Sequence, residues 1–188
     1  MAFGSNLGDR RGHVLQAARE VARILSDFGL STLIETAPVG AGLEHDPPFL
    51  NAVGMGASAA PLSEIFAALS AIEARGGRTR PHPGAPRTID IDLILAGQEI
   101  VNEAALRVPH PRFRDRLFVL EPLVEIAPEM CDPITGLTIA ELLKIKKAGA
   151  CAPASSIAAG PEDPTRDAAT IPWCRSSSDC RVRRRSRL

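Results

Sequence analysis

Two aspartates, Asp90 and Asp92, stand one residue apart in the run Thr88-Ile89-Asp90-Ile91-Asp92-Leu93-Ile94-Leu95. Side chains two apart on a strand point the same way, about 7 Å apart along the chain, so this spacing sends both carboxylates to one face and Ile89, Ile91 and Leu93 to the other. Hard oxygen donors so placed suit magnesium, which keeps several waters and takes one or two carboxylates together with substrate phosphates. Two such ions about 3.5 to 4 Å apart could bridge the phosphates of a nucleotide. An isolated Asp-x-Asp is more often the wet face of a strand, and the surroundings of this one argue for chemistry instead. Gly84-Ala85-Pro86-Arg87-Thr88 stands directly before it, with Glu73, Arg75, Arg78 and Arg80 further upstream. A guanidinium keeps its charge in any surroundings and offers planar paired donors, so several of them beside two metal carboxylates suit a polyphosphate. The chain has no Gly-x-x-x-x-Gly-Lys-Ser/Thr loop and no Gly-x-Gly-x-x-Gly after a strand, so arginine and metal replace the usual glycine cradle.

Alternating periods of hydrophobicity predict the elements that must hold these groups. Residues 10–28 place Val14, Ala18, Val21, Leu25 and Phe28 on one helical face, with Asp9 set to cap the first turn. Residues 31–37 and 50–57 read as strands separated by a loop rich in Gly and Pro. Pro61 opens a second helix with Leu62, Ile65, Phe66, Leu69 and Ile72 inward. With a brief opening strand ending at Phe3 and a strand over 88–95, the order is strand, helix, strand, strand, helix, strand. That order predicts an α+β fold, a ferredoxin-like antiparallel sheet with helices packed on it in three α-β-α layers. An extended piece over 99–101, a Pro-rich loop, and short helices over 119–126 and 139–144 follow.

Bulk properties frame one compact unit. The 188 residues are 45% hydrophobic, enough for one domain with a core. No apolar run approaches the roughly 18 to 20 residues that span a bilayer, and the N-terminus has no secretory pattern, so a cytoplasmic protein away from membranes is expected. Cys131, Cys151, Cys174 and Cys180 make no Cys-x-x-Cys pair, which fits a reducing compartment and argues against zinc. The zero net charge hides an asymmetry: residues 1–150 carry 15 basic and 18 acidic side chains, and residues 151–188 carry 7 and 4. From about Cys151 apolar periodicity gives way to Ala, Ser, Pro and Gly and then to Arg183-Arg184-Arg185-Ser186-Arg187, so 1–150 is expected to be the catalytic domain and 151–188 a disordered basic tail.

Five blocks occur in order: Gly4-Ser5-Asn6-Leu7-Gly8-Asp9; Pro48-Phe49-Leu50-Asn51; Glu73 with Gly77-Arg78-Thr79-Arg80; Ala85-Pro86-Arg87-Thr88-Ile89-Asp90-Ile91-Asp92; and Val108-Pro109-His110-Pro111-Arg112 with Arg116 and Phe118. Over roughly residues 1–147 the chain resembles the 6-hydroxymethyl-7,8-dihydropterin pyrophosphokinases. The resemblance implies transfer of diphosphate from ATP to a reduced hydroxymethyl pterin in folate synthesis, with AMP leaving. It makes Asp90 and Asp92 the ligands of two Mg2+ ions, with Arg80 and Arg87 counted alongside them as catalytic. Arg80, Arg87, His110 and Arg116 would contact the phosphates of ATP, the co-substrate, with Glu73 and Leu93 nearer its adenosine. The pterin would lie between Phe49 and Phe118, its edge read by Asn51 and by backbone near Thr36 and Val39. A flat heterocycle stacks well between rings, and an asparagine amide both donates and accepts. Without the resemblance, Phe49 and Phe118 would be read as core and His110 as an ordinary loop residue. The loops 37–48 and 75–85 are candidate lids.

Two other classes compete. A ferredoxin-like sheet can bind RNA, but that needs exposed aromatics and a basic face where this strand carries aspartates, so no nucleic acid partner is expected. An inactive relative that binds nucleotide without turnover is the other, since only Met1, Ala2 and Phe3 precede Gly4 in the first strand. A monomer is expected.

Overall fold

The computed structural model describes residues 1–38, 46–77 and 85–150. Val39, Arg78, Arg80, most of both candidate lid loops and residues 151–188 lie outside them. In chain order the elements are β1 (Ala2–Ser5), α1 (Arg10–Val21), β2 (Ser26–Leu30), β3 (Ile34–Thr36), β4 (Phe49–Ala57), α2 (Leu62–Arg75), β5 (Asp90–Asp92), β6 (Val101–Asn102), β7 (Arg107–Val108), a 3-10 turn at Phe113–Asp115, α3 (Leu117–Ile126) and α4 (Ile139–Ala150).

The longest strand, β4, organises the sheet. One of its edges takes β1, and the other takes β3 near its start and β2 near its end; β5 pairs with the far side of β1, and every one of these pairings is antiparallel. The spatial order is β2-β4-β1-β5 with β3 beside β4, while β6 and β7 form a separate ribbon. Because strand side chains alternate, neighbouring residues of β4 feed opposite faces. Ala52 joins Phe3, Val14, Val21, Leu69 and Ile72 in the core under α1 and α2. Val53 joins Ile94, Phe113, Leu120 and Ile139 in the core under α3 and α4. The result is an α+β architecture in which two pairs of helices cover the two faces of one antiparallel sheet. Among the described residues no helix is long and apolar enough to cross a membrane.

Local chemistry accounts for the helix starts. Asp9 caps α1 by accepting from the Gly12 amide at 2.9 Å. Pro61, with its φ already near −55°, precedes α2. Thr138 and Glu141 cap α4 reciprocally, the Thr138 amide donating to Glu141 Oε2 at 2.8 Å and the Glu141 amide to Thr138 Oγ1 at 3.2 Å.

The helix expected over 10–28 ends at Val21, and Ser26–Leu30 is a strand. Leu25 and Phe28 continue the helical spacing, but pairing with β4 is the stronger pull: Ser26 faces Ala57, Leu30 faces Gly54, and the Phe28 ring meets Phe3 edge-on at 6.5 Å. The backbone turns there through Asp27 at φ 49°, a conformation that aspartate tolerates. The strand expected over 88–95 is regular only at Asp90–Asp92, and β1 runs past Phe3 to Ser5.

Gly54 sits beneath the two rings. A Cβ there would come 2.7 Å from Phe28 Cζ and 2.9 Å from Phe3 Cε2. Gly54→Ala is therefore expected to destabilise the fold by about 1–3 kcal/mol through overpacking, read as a lower urea midpoint at unchanged slope. An unchanged midpoint would show that the rings give way freely.

Candidate active site

The sheet register brings three of the sequence blocks into one row. Gly4 of β1 lies between Asn51 of β4 and Asp90 of β5, and two residues back along the strand Ala2 lies between Val53 and Asp92. Paired residues share a face, so Asn51, Asp90 and Asp92 emerge on the same side of the sheet. Gly4 is buried between Asn51 and Asp90, where side chains leave little room: a Cβ would stand 3.2 Å from Asn51 Oδ1 and 3.7 Å from Phe49 Cδ1. Ile89, Ile91 and Leu93 are buried in the opposite core.

Each aspartate carries its own arginine, and each arginine covers its own ring. Arg87 Nη1 lies 3.0 Å from Asp90 Oδ2, and its guanidinium carbon sits 5.6 Å from the centre of the Phe49 ring. Arg116 Nη1 lies 3.1 Å from Asp92 Oδ2, and its guanidinium carbon sits 5.5 Å from the centre of Phe118. Two lines of carboxylate, guanidinium and phenyl ring thus run side by side from β5. The two carboxylates are 18% and 33% exposed, dry enough to hold a fixed geometry and open enough to be reached.

His110 joins the Asp92 side, its Nε2 3.8 Å from Asp92 Oδ2. Its amide donates to the Ile94 carbonyl at 2.9 Å, which ties the loop after Val108 to the continuation of β5. Burial holds the imidazole below its ordinary value; Asp92 pulls it upward, and Arg116 and Arg112 push it down. The ring is therefore neutral at neutral pH. Its Nδ1 accepts from the Arg112 amide at 3.2 Å, so Nε2 carries the proton and presents it toward Asp92.

Two further residues fix the site, one of them expected from the sequence in another role and one assigned no role. Glu73, expected near a nucleotide, is buried on α2 and accepts from the Ile91 amide at 2.6 Å, between the two aspartates. Asn6 is buried at the end of β1; its Oδ1 accepts from the Arg87 amide at 2.8 Å and its Nδ2 donates to the Pro47 carbonyl at 3.3 Å. It ties the arginine loop to the loop that carries Phe49. The only sequence signal was its place in the Gly4–Asp9 block. Arg10 supports the same loop from α1, donating to the Pro48 carbonyl at 2.7 Å and pairing with Glu35 at 2.8 Å. On the ring side Asn51 Nδ2 donates to Thr36 Oγ1 at 2.8 Å. Of the residues picked out from the sequence, Arg87 meets Asp90, and Arg116 and His110 meet Asp92, with Phe49 and Phe118 under the arginines and Asn51 and Thr36 beside Phe49. Leu93 packs in the core, and Arg80 and Val39 lie outside the described residues.

Among the described residues no group of three or more His, Cys, Asp or Glu side chains could hold a metal ion by itself. Two oxygen-only side chains on one face fit a hard divalent ion that takes its remaining ligands from water and phosphate, and fit zinc poorly.

Carboxylates, guanidinium groups and two phenyl rings gathered on one α+β unit are the groups that could hold a metal-bound phosphate beside a flat ring. The family model described as 7,8-dihydro-6-hydroxymethylpterin-pyrophosphokinase matches residues 1–128, and the chain belongs to that family. It is 39% identical over 133 residues to a 2-amino-4-hydroxy-6-hydroxymethyldihydropteridine pyrophosphokinase of Bacillus subtilis, covering 69% of this chain and 78% of the relative. The protein of the same name from Aquifex aeolicus is 33% identical over 134 residues, 71% of this chain and 82% of its own length. The folic acid synthesis protein fol1 of Pneumocystis carinii is 34% identical over 141 residues, 74% of this chain, but the chain spans only 19% of that longer protein.

Proposed function

We propose that the chain transfers the terminal diphosphate of ATP to the hydroxymethyl oxygen of a reduced pterin, releasing AMP, as a step of folate synthesis. Membership of the pyrophosphokinase family supports the reaction. The observation that carries the site is the pair of carboxylate–guanidinium–ring lines descending from Asp90 and Asp92. The strand order β2-β4-β1-β5 with helices on both faces supports a ferredoxin-like reading of the fold, and residues 1–150 are the catalytic unit in that reading. The protein acts as a cytoplasmic monomer.

Asp90 and Asp92 would hold two Mg2+ ions, which supply neutralisation of the triphosphate charge and alignment of its oxygens. The chain's own groups do the remainder. Arg87 and Arg116 turn from the carboxylates to the phosphates, joined by Arg80. Neutral His110 offers its Nε2 proton as a hydrogen-bond donor to a phosphate oxygen. The resemblance would put Glu73 and Leu93 toward the adenosine, although both side chains are buried here. Phe49 and Phe118 flank the pterin; Asn51, with its amide nitrogen committed to Thr36, keeps Oδ1 free to accept from the ring's amino group, and backbone at Thr36 and Val39 completes that edge. The hydroxyl oxygen attacks the β-phosphorus, the bond from that phosphorus to the α–β bridging oxygen breaks, the hydroxyl proton is lost, and AMP departs. Catalysis is positioning and charge stabilisation, with no strong base required.

The direct test incubates the purified chain with ATP, magnesium and hydroxymethyl-dihydropterin and separates the nucleotides. AMP in step with pterin diphosphate is expected. ADP would mean an ordinary kinase, and no turnover with retained nucleotide binding would mean an inactive relative. The close fit at Gly4 gives a second check: Gly4→Val, whose added carbons would press on Asn51 and Phe49, is expected to raise KM for the pterin by about tenfold or more, the cost of roughly 1.4 kcal/mol of steric conflict, with KM for ATP little changed. Equal effects on both substrates would place the pterin elsewhere.

A further inference from the structure

Between His110 and Arg116 the chain makes a single 3-10 turn, Phe113–Asp115, and every residue of that turn is held by something that follows residue 128, where the family match ends. Phe113 is fully buried in the core that includes Ile139 and Leu142. Arg114 forks onto Asp132, Nε to Oδ2 at 2.7 Å and Nη2 to Oδ1 at 2.6 Å, with its guanidinium over the Phe113 ring at 4.6 Å. Asp115 pairs with Lys146 of α4 at 3.1 Å. Asp132 is itself a preset receptor. It is fully buried, its Oδ2 also accepts from the Thr135 hydroxyl at 2.6 Å, and its backbone closes a turn through Gly136 and Leu137. Gly136, at φ 71°, makes that turn possible.

We infer that the turn at 130–137 braces the active site, and that the Arg114–Asp132 fork is a positioning clamp that sets where His110 and Arg116 stand against Asp92. The inference rests on the reading of that end of the sheet as the active site. The mechanical link is short: the Phe113 amide donates to the His110 carbonyl at 3.1 Å, the Arg116 amide donates to the Phe113 carbonyl at 3.2 Å, and the Asp115 amide donates to Arg112 at 3.2 Å. A shift of Arg114 is passed to both neighbours of Asp92 through one turn of backbone. A planar two-bond fork fixes orientation as well as distance, which a single-point ammonium pair would not. Arg114 does not reach Asp92 in this arrangement; it acts through the residues on either side of it.

The test compares three variants of the full chain with wild type, each assayed well below its own unfolding midpoint. Asp132→Asn removes the charged fork, Arg114→Lys keeps the charge and loses the fork, and Glu141→Gln weakens the cap of α4 while leaving the clamp intact. For Asp132→Asn, kcat/KM for ATP is expected to fall by about 10- to 100-fold, the usual effect of loosening a supporting partner, with KM for the pterin within about twofold because Phe118 is carried by the well-packed α3. Arg114→Lys is expected to show the same split with a smaller loss, and Glu141→Gln none. In the ligand-free protein, amide hydrogen exchange over 110–116 is expected to quicken in Asp132→Asn while α1 and α2 keep wild-type rates. Unchanged exchange over 110–116, or a loss of kcat/KM that Glu141→Gln reproduces, would reduce the fork to a fold-stabilising contact and overturn the inference. Should wild type form no AMP, the proposed reaction fails, and the exchange comparison still decides whether the brace exists.

Discussion

Asp92→Asn is expected to lower the rate of AMP formation by about 10²- to 10³-fold or more, because the carboxylate that would hold a Mg2+ ion and orient Arg116 is lost, and each positive group aimed at a transition state that spreads negative charge acts on that scale. The substitution keeps the size of the side chain and removes the charge that faces Arg116 at 3.1 Å and His110 at 3.8 Å. The carboxylate is one-third exposed at the rim of the sheet, so the folded state should persist, checked by circular dichroism and an unchanged unfolding midpoint to within about 0.5 kcal/mol, the range of surface substitutions. Asp90→Asn is expected to lose activity on the same scale through Arg87. Glu20→Gln serves as the comparison: it removes the exposed pair with Arg75 between α1 and α2, which cover the sheet face opposite Asp92, and its rate should match wild type. If Asp92→Asn keeps more than about a tenth of the wild-type rate, 1.4 kcal/mol or less of barrier, the carboxylate holds no metal ion needed at the reacting phosphates.

The largest loss of stability is expected for Phe113→Ala. The ring is fully buried among Val119, Leu120, Leu123, Ile139 and Leu142, and its face carries the Arg114 guanidinium. Removing a fully buried phenyl ring costs about 3–5 kcal/mol, the transfer of the ring plus the cavity it leaves. That is a large share of the about 5–15 kcal/mol by which a domain is stable. For a chain of this length it corresponds to a fall of about 6–20 °C in Tm, measured by calorimetry or by loss of the helical signal. A loss under about 1 kcal/mol would mean that the cavity collapses at almost no cost, outside the range seen for such truncations. The same substitution loosens the turn between His110 and Arg116, so activity measured in the folded fraction should fall with it.

Several features were readable in the sequence because they depend on near neighbours. Asp90 and Asp92 share a face, and Ile89, Ile91 and Leu93 share the opposite one, because the period of a strand is two residues. The start of α1 at Asp9 and of α2 after Pro61 follow from capping chemistry confined to three or four residues. The family resemblance was legible for a related reason: the blocks that carry it are short and contiguous. The misread end of α1 shows the limit of such reasoning. Leu25 and Phe28 fit a helical period and a strand equally well, and the choice was made by β4, whose Ala57 and Gly54 lie 31 and 24 residues away in the chain. Glu73 shows another limit, since a buried carboxylate on a helix has no local mark of the backbone amide that it will meet.

The sequence by itself determined the alternation that turns two carboxylates outward, the capped starts of the helices, and the α+β class that the order of elements requires. The tertiary structure alone decided which arginine meets which aspartate, that each arginine covers a phenyl ring, that Asn6 ties Arg87, 81 residues away, to the loop before Phe49, and that Arg114 is anchored on Asp132. The physical reason is the range of the forces: torsional preference and side-chain period act over one or two turns. Salt bridges, ring contacts and buried hydrogen bonds join whatever the packing of two cores brings within about 3 to 6 Å, however far apart in the chain.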